Sequence, residues 1–81
     1  MNPRDFLNKL KWHPEKKLED AKIIIRHRGA PRDQKTIEGK DIEDLGSGFM
    51  KVKSDFKTVK IPYHRILKIK KAGETIWKES P

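Results

Sequence analysis

Three consecutive isoleucines, Ile23-Ile24-Ile25, constrain the fold more than any other stretch of the chain. Branching at Cβ stiffens each residue at χ1, so the run favours an extended strand over a helix. It is also the longest apolar run, which is a buried strand's worth and far short of the ~20 residues of a membrane span. Read as a strand over 21–29, it puts Ile23, Ile25 and His27 on one face. Ile24, Arg26 and Arg28 fall on the other, because side chains alternate along a strand. A chain that is 40% charged and only 33% hydrophobic folds if its apolar residues are patterned in this way rather than scattered.

The pattern continues on both sides. Asn2-Pro3 starts a helix: Asn is a good N-cap, and Pro suits the first helical position. Phe6, Leu7 and Leu10 form a narrow apolar stripe on it. Pro14 disfavours helical geometry at His13, so the helix should stop near Trp12. Trp12 is expected to cap the core, with base stacking as the alternative. A polar connector over 15–20 carries Leu18 as its one anchor. Gly29 to Asp33 reads as a loop, in which Asp33 either closes a turn or orients a basic group or a ribose hydroxyl. Residues 36–38 read as a short strand, and 40–45 as one helical turn with Ile42 and Leu45 inward. Beyond the turn at Gly46-Ser47-Gly48, alternation predicts a four-stranded meander. Met50 and Val52, Val59 and Ile61, Leu67 and Ile69, and then Ile76 point inward. Lys51, Lys53, Lys60, Lys68 and Lys70 point outward, either as a solvated face or as a row that tracks a phosphate backbone.

Size and charge narrow the function. The 81 residues make one small domain over 1–81 with a modest core. Twenty Lys and Arg against 12 Asp and Glu give a net charge of +8. That favours an anionic partner, nucleic acid or an acidic membrane surface, unless it is only the charge-dense surface of a heat-adapted protein. The chain has no cysteine, which excludes disulfides, thiolate nucleophiles and sulfur-based zinc sites. Together with the absence of a signal peptide, this points to the cytoplasm. His13, His27 and His64 are the only imidazoles and lack metal-motif spacing, so neither a metal nor a cofactor is expected.

The densest chemistry lies in Ile61-Pro62-Tyr63-His64-Arg65-Ile66. Pro62 cannot donate to a sheet ladder, so it should end one strand and turn the chain. The turn then presents a phenol, an imidazole and a guanidinium together. The sequence predicts that it faces the other histidine-arginine pair, His27-Arg28, across an anion-sized hollow. Flanked by Arg26 and Arg28, His27 reads equally as a site group and as a histidine at the edge of the core.

These residues carry a resemblance. A strand ending in Ile25-Arg26-His27-Arg28-Gly29-Ala30-Pro31 with Asp33 beyond it, and the later Ile-Pro-Tyr-His-Arg-Ile block followed by Gly73 and Trp77, resemble the RNA cyclic group end recognition domain. This is a small, largely archaeal family of about this length, and the likeness covers nearly the whole chain. It implies binding to RNA ends that bear a cyclic phosphate or a related group, beside RNA-processing enzymes. By motif, His27, Arg28, Tyr63, His64 and Arg65 carry over.

The expected fold is therefore α+β: one N-terminal helix packed on a small, mostly antiparallel sheet with room to curl toward a barrel. The expected function is RNA binding at (3′) ends carrying a phosphate, by Arg26, His27, Arg28, Tyr63, His64, Arg65 and Lys68, with no membrane partner. Arginine would grip phosphate oxygens bidentately, and Tyr63 would stack on the last base or bond the ribose. The rival is catalysis, with His27 and His64 as acid and base and Arg65 stabilising charge. Against it, neither histidine is followed two residues later by Thr or Ser, the two-histidine phosphoesterase signature. A structural adaptor that binds another protein is the third reading.

Overall fold

Capping chemistry sets the helix. In the computed structural model, which describes residues 2–13 and 18–79, α1 spans Pro3–Trp12. The Asn2 side chain accepts the Asp5 N–H at 2.8 Å, satisfying a donor that the first turn leaves unpaired. Asp5 in the first turn and Lys9 and Lys11 in the last complement the helix dipole. The His13 N–H closes the end on the Lys9 carbonyl at 3.0 Å. Pro14, expected to stop the helix, and the connector at 15–17 lie outside the described residues. Leu7 and Leu10 are buried and Phe6 packs partly beside them. Trp12 does not cap the core: it is 77% exposed. Two residues beyond Leu10, it lies on the opposite side of the helix.

Seven strands follow: β1 Ala21–Arg26, β2 Gln34–Glu38, β3 Ile42–Leu45, β4 Phe49–Ser54, β5 Lys57–Pro62, β6 Ile66–Lys71 and β7 Glu74–Lys78. All pairings are antiparallel, in two sheets of order β2-β1-β6-β7 and β3-β4-β5. The class is thus α+β as expected, but the sheets stay open and do not close into a barrel. Nor do the last four strands form one meander. Pro62 and the 3₁₀ turn Tyr63–Arg65 carry the chain out of one sheet, and β6 pairs with the isoleucine strand instead.

β1 is an inner strand. Ile23 lies opposite Ile37 on one side and Ile69 on the other, and all three isoleucines of the run are buried. The register against β6 shifts between Ile24, opposite Lys68, and Ile25, opposite Ile66. Leu67 is the extra residue of this bulge, so Ile66 takes the inward place expected of Leu67. Ala21, Ile37, Ile66 and Tyr63 join the expected core, while Leu18, Ile42, Leu45, Val59 and Ile76 pack on it partly buried.

The segment at 40–45 is not a helical turn. A 3₁₀ turn at Gly39–Asp41 leads into β3, which pairs with β4. A side chain at Gly39 would collide with the Leu18 carbonyl oxygen, so here the backbone turns Leu18–Asp20 and Gly39–Asp41 pack directly together. Among the described residues, no helix is long and apolar enough to cross a membrane.

Candidate nucleic-acid interface

His27 follows β1 and opens a loop that folds back on itself. Its N–H bonds the Asp33 carbonyl at 2.8 Å, and the Asp33 N–H bonds the Ala30 carbonyl at 2.8 Å. The Gly29 N–H reaches the Asp33 carboxylate at 3.4 Å, so Asp33 closes the turn. The reversal uses left-handed backbone at Gly29 (φ 93°), Arg32 (φ 59°) and Asp33 (φ 54°). Arg28, inside this loop, is exposed.

Arg65 joins the two motifs. From the turn after β5, its Nε and Nη2 both donate to the Arg26 carbonyl, at 3.0 and 2.7 Å. Its Nη2 also lies 3.3 Å from His27 Nδ1. If Nδ1 accepts there, the His27 ring is neutral and carries its proton on Nε2, free to donate elsewhere. Both Nη1 protons of Arg65 stay available as well. Two residues 38 positions apart thus present donors side by side.

Both line a hollow of about 390 Å³ between the two sheets. Its floor is apolar: Ile25 and Ile37 from one sheet, Val52, Val59 and Ile61 from the other. Lys35 and Lys53 add positive charge along its wall. Asp41 and Asp55 supply carboxylates, which can accept from hydroxyl or amino groups. An apolar cleft with a few convergent polar groups is the usual form of a small-ligand site.

The other expected members are placed elsewhere. His64 lines a separate depression of about 360 Å³ with Asn2, Arg4 and Ser47. The expectation that His64-Arg65 would meet His27-Arg28 across one hollow therefore holds only for Arg65 and His27. An acid–base pair needs both rings on one phosphate, and His27 and His64 line different hollows. Tyr63 is 8% exposed within the core, and its hydroxyl donates to the Gly46 carbonyl at 2.7 Å. Burial raises its pKa, with nearby Arg4 lowering it and Asp44 raising it further. It holds the turn in place and is not free to stack on a base.

The lysine row divides between the sheets: Lys51, Lys53 and Lys60 lie on β4 and β5, Lys68 and Lys70 on β6. Lys68 lies opposite Lys78, and Lys22 opposite Lys70. With Arg26, these make the outer face of the larger sheet basic, and directly opposed like charges repel. Glu38, opposite Lys22 with 4.0 Å between the charged atoms, offsets part of this. No group of three or more metal-ligating side chains gathers among the described residues. Phe56 was missed in the sequence: it is fully exposed at the tip of the β4–β5 hairpin.

The sequence model of the MJ1316 RNA cyclic group end recognition domain matches residues 1–79. The UPF0248 protein MJ1316 of Methanocaldococcus jannaschii is 40% identical over 78 residues, covering 94% of this chain and 91% of its own. The UPF0248 protein TK0315 of Thermococcus kodakarensis is 41% identical over 75 residues, 91% of this chain and 86% of its own. The UPF0248 protein M1425_2629 of Saccharolobus islandicus is 34% identical over 80 residues, 96% of this chain and 99% of its own. No solved structure matches the chain.

Proposed function

Since the chain belongs to the MJ1316 RNA cyclic group end recognition domain family, we propose that it binds RNA 3′ ends carrying a terminal, preferentially cyclic, phosphate. It does so without catalysis of its own, alongside enzymes that process or repair RNA in the cytoplasm. The observation that carries this reading is the contact between Arg65 Nη2 and His27 Nδ1, 3.3 Å apart, on two residues that line the inter-sheet hollow. A 2′,3′-cyclic phosphate has one negative charge and two free oxygens. The Nη1 group of Arg65 and the Nε2–H of His27 can each donate to one of these oxygens. The guanidinium is held on a backbone carbonyl before any ligand arrives, so little side-chain entropy remains to be lost on binding. The apolar floor accepts the ribose or base behind the phosphate, and Arg28 and the lysines add attraction for the backbone.

The test is a titration with three oligoribonucleotides of one sequence, ending in a cyclic phosphate, a linear 3′-phosphate or a hydroxyl. The cyclic end should bind about tenfold or more tightly than the hydroxyl end, the worth of a charge-assisted contact. Equal affinity for all three would remove end recognition and leave only RNA binding.

A further inference from the structure

Phe56 stands where turn chemistry does not call for it. Ser54 pairs with Lys57, so Asp55-Phe56 is a two-residue hairpin loop, with Asp55 in left-handed geometry (φ 54°). Such loops favour Asn, Asp and Gly. The Ala72-Gly73 loop between β6 and β7 follows the rule at its second position, with φ of 53° and 81°. Phe56 instead projects a whole phenyl ring into solvent, at 104% exposure, and packs on nothing in the core.

Its surroundings give the ring a use. Phe56 lines a shallow hollow of about 450 Å³ with Lys57, Thr58, Lys53, Asp55 and Glu43. Lys53 and Asp55 also line the inter-sheet hollow that holds His27 and Arg65. The two hollows therefore adjoin at these two residues, at the hairpin end of β4. Lys53 and Lys57 place positive charge beside the ring. A cationic path beside an exposed aromatic ring is how proteins hold single-stranded nucleic acid, the ring stacking on a base whatever its identity.

We propose that Phe56 is a stacking platform for a base upstream of the terminal nucleotide, so that the ligand is a single-stranded RNA segment rather than a mononucleotide. This rests on the end-recognition reading and extends it along the strand. The specificity it adds is for unpaired RNA, because a base within a duplex cannot leave its own stack without cost.

The experiment measures the affinity of the full chain for a nucleoside 2′,3′-cyclic phosphate and for a tetranucleotide with the same end. The wild type, Phe56→Ala and Phe56→Trp are compared. Phe56 touches no core residue, so both variants should fold, and thermal melting checks this. The expected result is a gain of about tenfold from mononucleotide to tetranucleotide in the wild type. Phe56→Trp keeps this gain, with its indole fluorescence quenched on binding, and Phe56→Ala loses it while its mononucleotide affinity is unchanged. Equal tetranucleotide affinity in Phe56→Ala and the wild type would overturn the platform and leave end recognition standing. Failure of the wild type to prefer a cyclic over a hydroxyl end, with the Phe56 effect intact, would remove end recognition and leave the platform as a plain RNA contact.

Discussion

The guanidinium of Arg65 is pinned to the carbonyl of Arg26 by two hydrogen bonds, at 3.0 and 2.7 Å. The carbonyl belongs to the last residue of β1 and the guanidinium to the turn that starts β6. One side chain thus ties the end of the isoleucine strand to the Tyr-His-Arg turn and sets His27 beside it.

Arg65→Lys should break this geometry while keeping the charge. An ammonium is a point donor and cannot fork onto the Arg26 carbonyl and also face a phosphate. We expect affinity for cyclic-phosphate RNA to fall about tenfold or more, with a loss of about 1 kcal/mol in folding stability. Calorimetric titration and urea denaturation of the variant check the two parts.

Lys68 should matter differently. It sits on the basic outer face of the larger sheet, opposite Lys78, and does not line the inter-sheet hollow. Lys68→Ala should weaken binding to cyclic, phosphate and hydroxyl ends by the same factor. It should also flatten the dependence of log affinity on log salt by roughly 0.7, the share of one phosphate on a single strand. Filter binding across a salt series measures both.

Tyr63 predicts an alkaline effect. Burial raises its pKa, so the folded state holds the phenolic proton more tightly than the unfolded chain does. Its contribution is fully present below the unfolded value of about 10 and is lost as pH rises from there through the folded value. Tyr63→Phe should lower stability at neutral pH by about 1 kcal/mol or more, since the Gly46 carbonyl loses its partner. It should also lose less stability than the wild type between pH 10 and 11. Denaturant midpoints across that range test the sign.

Gly39→Ala should be the most damaging small change. The added methyl would meet the Leu18 carbonyl, and a backbone atom cannot swing aside as a side chain can. We expect a loss of about 3 kcal/mol or more, at the upper end for overpacking. A urea melt, or failure to recover folded protein, shows it.

Much of this was legible in the residues. Asn2-Pro3 fixed the helix start and the isoleucine run fixed an inner strand, because both signals are local and strong. The pairing of β6 with β1 was not legible. Alternation shows which residues face a core, but not which strand lies alongside, and Pro62 with the turn after it sends the chain to another sheet. The bulge at Leu67 hid for a related reason, since one extra residue moves the inward place from Leu67 to Ile66 while Ile69 stays inward, and leaves no mark in composition. In the Tyr63-His64-Arg65 turn, three adjacent side chains point three ways, into the core, to a depression beside α1 and to His27. Sequence adjacency suggested one shared site there. Phe56 carried a signal that could have been read, an aromatic residue in a two-residue turn.

The central claim is that the RNA end lies against His27 and Arg65 and not against His64. Side-chain NMR of the two imidazoles and of the Arg65 guanidinium, during titration with a cyclic-phosphate oligoribonucleotide, tests it directly. The account predicts that the His27 and Arg65 resonances move in step with saturation while those of His64 hold still. Movement of the His64 ring with His27 and Arg65 unchanged would contradict it.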